Sequence, residues 1–105
     1  MDEELELISF QIISAVGTAR SLYIEAIRLA KDGEFETAEQ RIREGQEAFI
    51  EGHHAHSALS QQEATGGKVD IPLILVHAED QLMSAESFGI LAEEFLDVYR
   101  KIAKE

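Results

Sequence analysis

The part of this chain that offers reaction chemistry is Val76-His77-Ala78-Glu79-Asp80-Gln81-Leu82-Met83. A neutral imidazole is a competent nucleophile near pH 7. His77 and Gln81 stand at i and i+4, so on a helix they share a face and the amide reaches a group carried on the ring. His77 also falls about one turn beyond an expected helix start, where the helix dipole and spare N–H groups favour an anion. These features fit a histidine that carries a phosphoryl group. The competing reading is a structural histidine with a satisfied ring. Asp80 interrupts an apolar seam, which is costly unless the carboxylate is paired. It is either a helix-surface carboxylate or a residue on an oligomer axis. On an axis its copies would need a shared proton or cation, and a hard divalent ion with oxygen ligands would suit.

The other histidines cluster at His53, His54 and His56. His53 and His56, at i and i+3, have the spacing of a metal-binding pair. No acidic residue or further histidine completes that pair at a convincing spacing. His56 lies on a packing seam and is expected to be buried and hydrogen-bonded, with His54 solvated. There is no Gly-x4-Gly-Lys-[Ser/Thr] loop, so the chain is not itself a nucleotide-using kinase.

Three helices must position these residues. Leu5, Ile8, Ile12, Ala15, Ala19, Leu22, Ala26 and Leu29 repeat at spacings of three and four, the mark of a long amphipathic helix over about 3–31. Ala15, Gly17, Ala19 and Ala26 would let a neighbouring helix come close. Lys31-Asp32-Gly33 ends it, with Gly33 suited to a left-handed C-terminal position. A second helix, about 34–64, has the seam Phe35, Ala38, Ile42, Gly45, Phe49, Gly52, His56, Leu59. Its two seam glycines cost helix propensity, which points to tight contacts there. Thr65 to Asp70 is the longest run of helix breakers and is expected to be mobile.

A third helix, about 72–104, opens at Pro72, whose missing N–H costs nothing in a first turn, with Asp70 placed to cap it. One seam runs Ile74, His77, Gln81, Ser84, Phe88, Leu91, Phe95, Val98, Ile102, and its lower part reads as a core stripe. A second runs Leu73, Val76, Asp80, Met83, Ser87, Ile90. Leu75 and Leu82 make the remaining side apolar. A helix apolar nearly all round is covered on more than one side, and in so small a chain the second cover is expected to be another subunit. The expected architecture is all-α, an antiparallel up-down-up three-helix bundle forming a single domain over 1–105.

With 105 residues and no cysteine, the chain has no disulfides and no thiol chemistry. No run approaches about 20 consecutive apolar residues, so no membrane span is expected. The acidic start, Met-Asp-Glu-Glu-Leu-Glu, is unlike a signal peptide, and a cytoplasmic location is expected. The net charge of −12 argues against nucleic acid or an anionic membrane surface as a direct partner, and permits a basic protein partner.

Four segments together resemble one family, the enzyme IIA component of the lactose/cellobiose (N,N'-diacetylchitobiose) class of the bacterial sugar phosphotransferase system. Val16-Gly17-Thr18-Ala19-Arg20-Ser21 resembles its Gly-x-Ala-Arg segment, and Ala30-Lys31-Asp32-Gly33-Glu34-Phe35 its Gly-x-Phe turn. His53 with the Ser57 region resembles its Ala-His segment. Val76 to Met83 resembles its Val-His-Ala-Gln-Asp-His-Leu-Met block. The resemblance implies a homotrimer with the third helices packed around the axis. It puts the phosphorylated histidine at His77, supported by Gln81, and an axial aspartate able to hold magnesium or another divalent ion at Asp80. It implies phosphorylated HPr as donor, a cysteine of the cognate enzyme IIB as acceptor, and membrane contact only indirectly, through the IIC component. Two positions depart from the family pattern: Glu79 stands where glutamine is usual, and Gln81 where histidine is usual. Gln81 still donates a hydrogen bond but cannot ionise. Glu79 lies about 200° round the helix from His77. The readings left beside the relay are a non-catalytic trimeric regulator and a metal-binding helical bundle built on His53, His56 and acidic residues.

Overall fold

The computed structural model describes residues 3–64 and 71–104. They form three α-helices, α1 (Glu3–Lys31), α2 (Phe35–Ala64) and α3 (Leu73–Lys104), in an up-down-up bundle measuring 57 × 20 × 18 Å. The proposed cap Asp70 and the Thr65–Asp70 run lie outside the described residues.

The α1–α2 turn follows from Gly33. Its φ of +81° is left-handed. Its N–H donates to Ala30 O at 3.1 Å, and the Glu34 N–H donates to Leu29 O at 2.9 Å. These are the paired bonds of a Schellman cap, which satisfy carbonyls the helix end would leave open. At the start of α3 the Pro72 carbonyl accepts from Leu75 N and Val76 N at 3.0 and 3.3 Å, so Pro72 is the boundary residue.

α1 packs along both other helices, while α2 and α3 meet along a narrower line. Its buried stripe is Leu5, Ser9, Ile12, Val16, Ala19, Tyr23, Ala26, Ala30. Full burial of a residue such as Ile12 or Val16 contributes about 1.5–3 kcal/mol. Ser9 is tolerated in the stripe because its hydroxyl donates to Leu5 O at 2.9 Å. By length and composition α1 is apolar enough to cross a membrane, which counting unbroken apolar runs does not reveal. Serine, threonine and glutamine take the place of charges along much of its length. Here the buried stripe packs against α2 and α3.

The seam glycines of α2 do make tight contacts. A Cβ on Gly45 would stand 2.5 Å from the Tyr23 ring, and one on Gly52 2.7 Å from the Val16 side chain. Gly89 of α3 receives the other edge of Tyr23, where a Cβ would lie 2.9 Å from the ring. Tyr23 is thus a wedge joining all three helices at one level. Gly17, by contrast, has nothing within 4 Å of its Cβ position among the described residues, so no close helix contact forms there.

α3 departs from the expected pattern. Its buried residues are Leu75, Ala78, Leu82, Ala85, Ala92 and Leu96. The stripe read as core, Phe88 to Ile102, is not the subunit's core: Leu91, Phe95, Val98 and Ile102 are exposed and Phe88 is half-buried. The inward face is rich in alanine because it fits against α1, and alanine carries little weight in a hydrophobic pattern. The larger side chains point outward. Leu73 is 83% exposed, Met83 67% and Ile90 58%. With Val76, Leu91, Phe95, Val98 and Ile102 they form a broad apolar face opposite the core, running the length of the helix.

Candidate functional site

His77 is the fifth residue of α3 and is exposed. It sits on one flank of the outward face, because the inward turn of the helix is taken by Leu75, Ala78 and Leu82. One turn on, Gln81 is half-buried against α1, where its Oε1 accepts from Arg20 Nη1 at 2.9 Å. One turn from His77, the α1–α3 packing therefore holds an amide whose oxygen carries a guanidinium. An exposed imidazole beside hydrogen-bond donors can attack an electrophile and have the resulting anion stabilised.

Asp80 is exposed and lies near the middle of the outward apolar face, between Val76 and Met83. Asp80 alone offers a single carboxylate. Among the described residues of one chain, no group of three or more histidine, aspartate or glutamate side chains gathers to hold a metal. Among those residues no third ligand joins His53 and His56. His53 and His54 are both exposed. His56 is half-buried rather than fully buried, and its Nε2 lies 2.5 Å from Glu79 Oε1.

The His56–Glu79 pair also answers where Glu79 points. It reaches α2, while Gln81, two residues on, reaches α1. The carboxylate is thus directed away from the His77 flank, as the helical rotation of about 200° requires. Sequence reasoning placed no acidic partner near His56, because that partner comes from another helix. It also left Arg20 without a role. The signal was its position in the Gly17-Thr18-Ala19-Arg20 segment, but nothing in the spacing of α1 tied it to Gln81.

The chain matches, over residues 7–100, the family described as the lactose/cellobiose-specific IIA subunit of the PTS system. It is 40% identical over 105 residues to the lichenan-specific phosphotransferase enzyme IIA component of Bacillus subtilis, covering 100% of this chain and 96% of that protein. The structure of the PTS cellobiose-specific enzyme IIA from Bacillus anthracis superposes with a TM-score of 0.96 at 40% identity, covering 100% of this chain and 96% of that one. The IIA(chitobiose) structure from the Escherichia coli phosphotransferase system, solved in complex with HPr, gives a TM-score of 0.83 at 32% identity, covering 97% of this chain and 99% of that one. With the three helices in place and the His77–Gln81 face formed at the third, this chain belongs to the lactose/cellobiose-specific IIA family of the phosphotransferase system.

Proposed function

We propose that this protein is the phosphoryl carrier of a sugar phosphotransferase system, working in the cytoplasm, with His77 as the carrier residue. The observation that carries this is the exposed imidazole of His77 beside Gln81, on a chain of this family. A ring nitrogen of His77 uses its lone pair to bond phosphorus as the bond from phosphorus to the donor breaks, that electron pair leaving with the donor. The donor is phosphorylated HPr, the partner found with the chitobiose relative. In the second step a cysteine sulfur of the cognate IIB protein bonds phosphorus, and the N–P electron pair returns to the ring. Both steps depend on positioning and on stabilising phosphoryl oxygen charge. The relatives act in lichenan, cellobiose and chitobiose systems, and no sugar touches this component in the relay. Incubation with labelled phospho-HPr, followed by a IIB protein, tests the relay. The label should pass first to this chain and then onward; a protein that holds the label without passing it on would be a regulator.

The working form in this proposal is a homotrimer with the α3 helices around the axis. An apolar face running the length of α3 is larger than monomers usually leave open. Its breadth suits a helix that meets two others. Asp80, central on that face, would then occur in three copies near the axis. Their oxygens suit magnesium or a similar divalent ion, acting structurally rather than in the transfer. Asp80→Leu is expected to raise the melting temperature in chelator, since replacing mutually repelling buried carboxylates by apolar groups is often favourable by about 1–4 kcal/mol. Excess magnesium should raise the wild-type value and leave Asp80→Leu unmoved. Melting curves that respond neither to chelator nor to the substitution would remove Asp80 from the axis.

A further inference from the structure

We propose that Arg20 is the positioning residue of phosphoryl transfer: it turns the Gln81 amide so that its NH2 group faces the phosphoryl on His77, and it keeps a positive charge free beside that group. This rests on the reading of His77 as the carrier.

The first observation is the direction of the amide. A guanidinium has donors only, so the half of Gln81 facing Arg20 must be the oxygen. The 2.9 Å bond from Nη1 to Oε1 therefore settles which way the amide is turned. Both N–H bonds of Nε2 are left without a side-chain partner among the described residues, one turn from His77 on the same side of α3. An amide free to rotate would present oxygen to an incoming anion half the time. Held by Arg20, it presents donors.

The second observation is the charge of Arg20 itself. Arg20, Arg41 and Arg100 are the half-buried arginines of the chain. Arg41 is neutralised by Glu25 and Glu44. Arg100 is neutralised by Glu39. Arg20 alone of the three meets a neutral acceptor. In a chain with 21 acidic and 9 basic side chains, a carboxylate partner is the expected outcome, and Arg20 has none among the described residues. An amide holds the guanidinium in place without cancelling its charge. That is what a site receiving a phosphoryl dianion requires, since arginine is well matched to phosphate oxygens.

A purely structural tie between α1 and α3 would be improved by a carboxylate at position 81. Gln81→Glu therefore separates the two roles. It gives Arg20 an ion-pair partner, so the melting temperature should hold or rise. It also removes the NH2 donor and cancels the charge, so the rate of label uptake from phospho-HPr should fall by about tenfold or more, as when a donor aimed at developing charge is lost. Gln81→His should largely restore uptake at pH 8, because a neutral imidazole accepts at one nitrogen and donates at the other. Arg20→Met, which keeps the aliphatic stem, should lower kcat for transfer while leaving KM for phospho-HPr nearly unchanged. Uptake by Gln81→Glu at the wild-type rate would overturn the proposal, as would a loss of rate that only tracks a loss of melting temperature. A normal kcat in Arg20→Met would overturn it too. Wild-type protein that takes no label would overturn the relay itself, and this inference with it.

Discussion

Replacing His77 with alanine should abolish phosphoryl uptake while the protein stays folded and keeps its oligomeric size. In the proposed relay the ring supplies the nucleophile, and alanine has no lone pair to take its place. The fold should survive because the ring is exposed and lies outside the buried stripe of α3. Circular dichroism and sedimentation would verify both. The wild type should take one label per chain although it has four histidines. That label should be lost in acid and kept in base, as a phosphoramidate is. His53→Ala and His54→Ala should label normally, since both side chains face solvent on α2. His56→Ala should also label, with a stability loss of at most about 1 kcal/mol from the half-exposed Glu79 pair. Full labelling of folded His77→Ala would sink the assignment and turn attention to the α2 histidines.

The second large effect should come from the outward face of α3. In the proposed trimer, Ile90→Asp would place three copies of an unpaired carboxylate in an apolar interface. Each such charge costs several kcal/mol even after relaxation, and three together on the order of 10 kcal/mol. At about 1.4 kcal/mol per decade, the association constant should fall by roughly seven decades. Sedimentation equilibrium at micromolar concentration should give three times the 11.7 kDa chain mass for the wild type and the single-chain mass for the variant. Helicity should persist, because Ile90 is 58% exposed in the subunit and supports none of its core. A wild type that sediments as a stable monomer would end the trimer proposal.

How much of this was readable from the residues differs from helix to helix. The three helices and the Gly33 turn follow from local rules: apolar spacing of three and four, and a position only glycine adopts freely. The direction of Glu79 followed from helical rotation alone. The facing of α3 did not. A pattern of hydrophobicity weights Phe95 above Ala92, yet Ala92 is buried and Phe95 exposed. Close approach to α1 selects small residues, and size complementarity between two helices is not written in either one. The site was half legible for a related reason. His77 and Gln81 are neighbours on one helix, so their spacing was visible. Arg20 and Gln81 are 61 residues apart, and His56 and Glu79 are 23 apart on different helices. Only the packed bundle brings them together.

The Tyr23 wedge gives the molecule an optical reporter of its own fold. The chain has no tryptophan and two tyrosines, so its near-ultraviolet signal comes chiefly from phenols. One of them is enclosed where α1, α2 and α3 meet, against Gly45 and Gly89. Burial, and secondarily the Glu93 carboxylate, raise the Tyr23 pKa above its ordinary value of 10.0. The neutral phenol is therefore the form the fold prefers. Its contribution to stability is complete below about pH 10 and declines above it, as the unfolded chain ionises first. In strong base, phenolate absorbance from this ring and the parting of the three helices should become linked events.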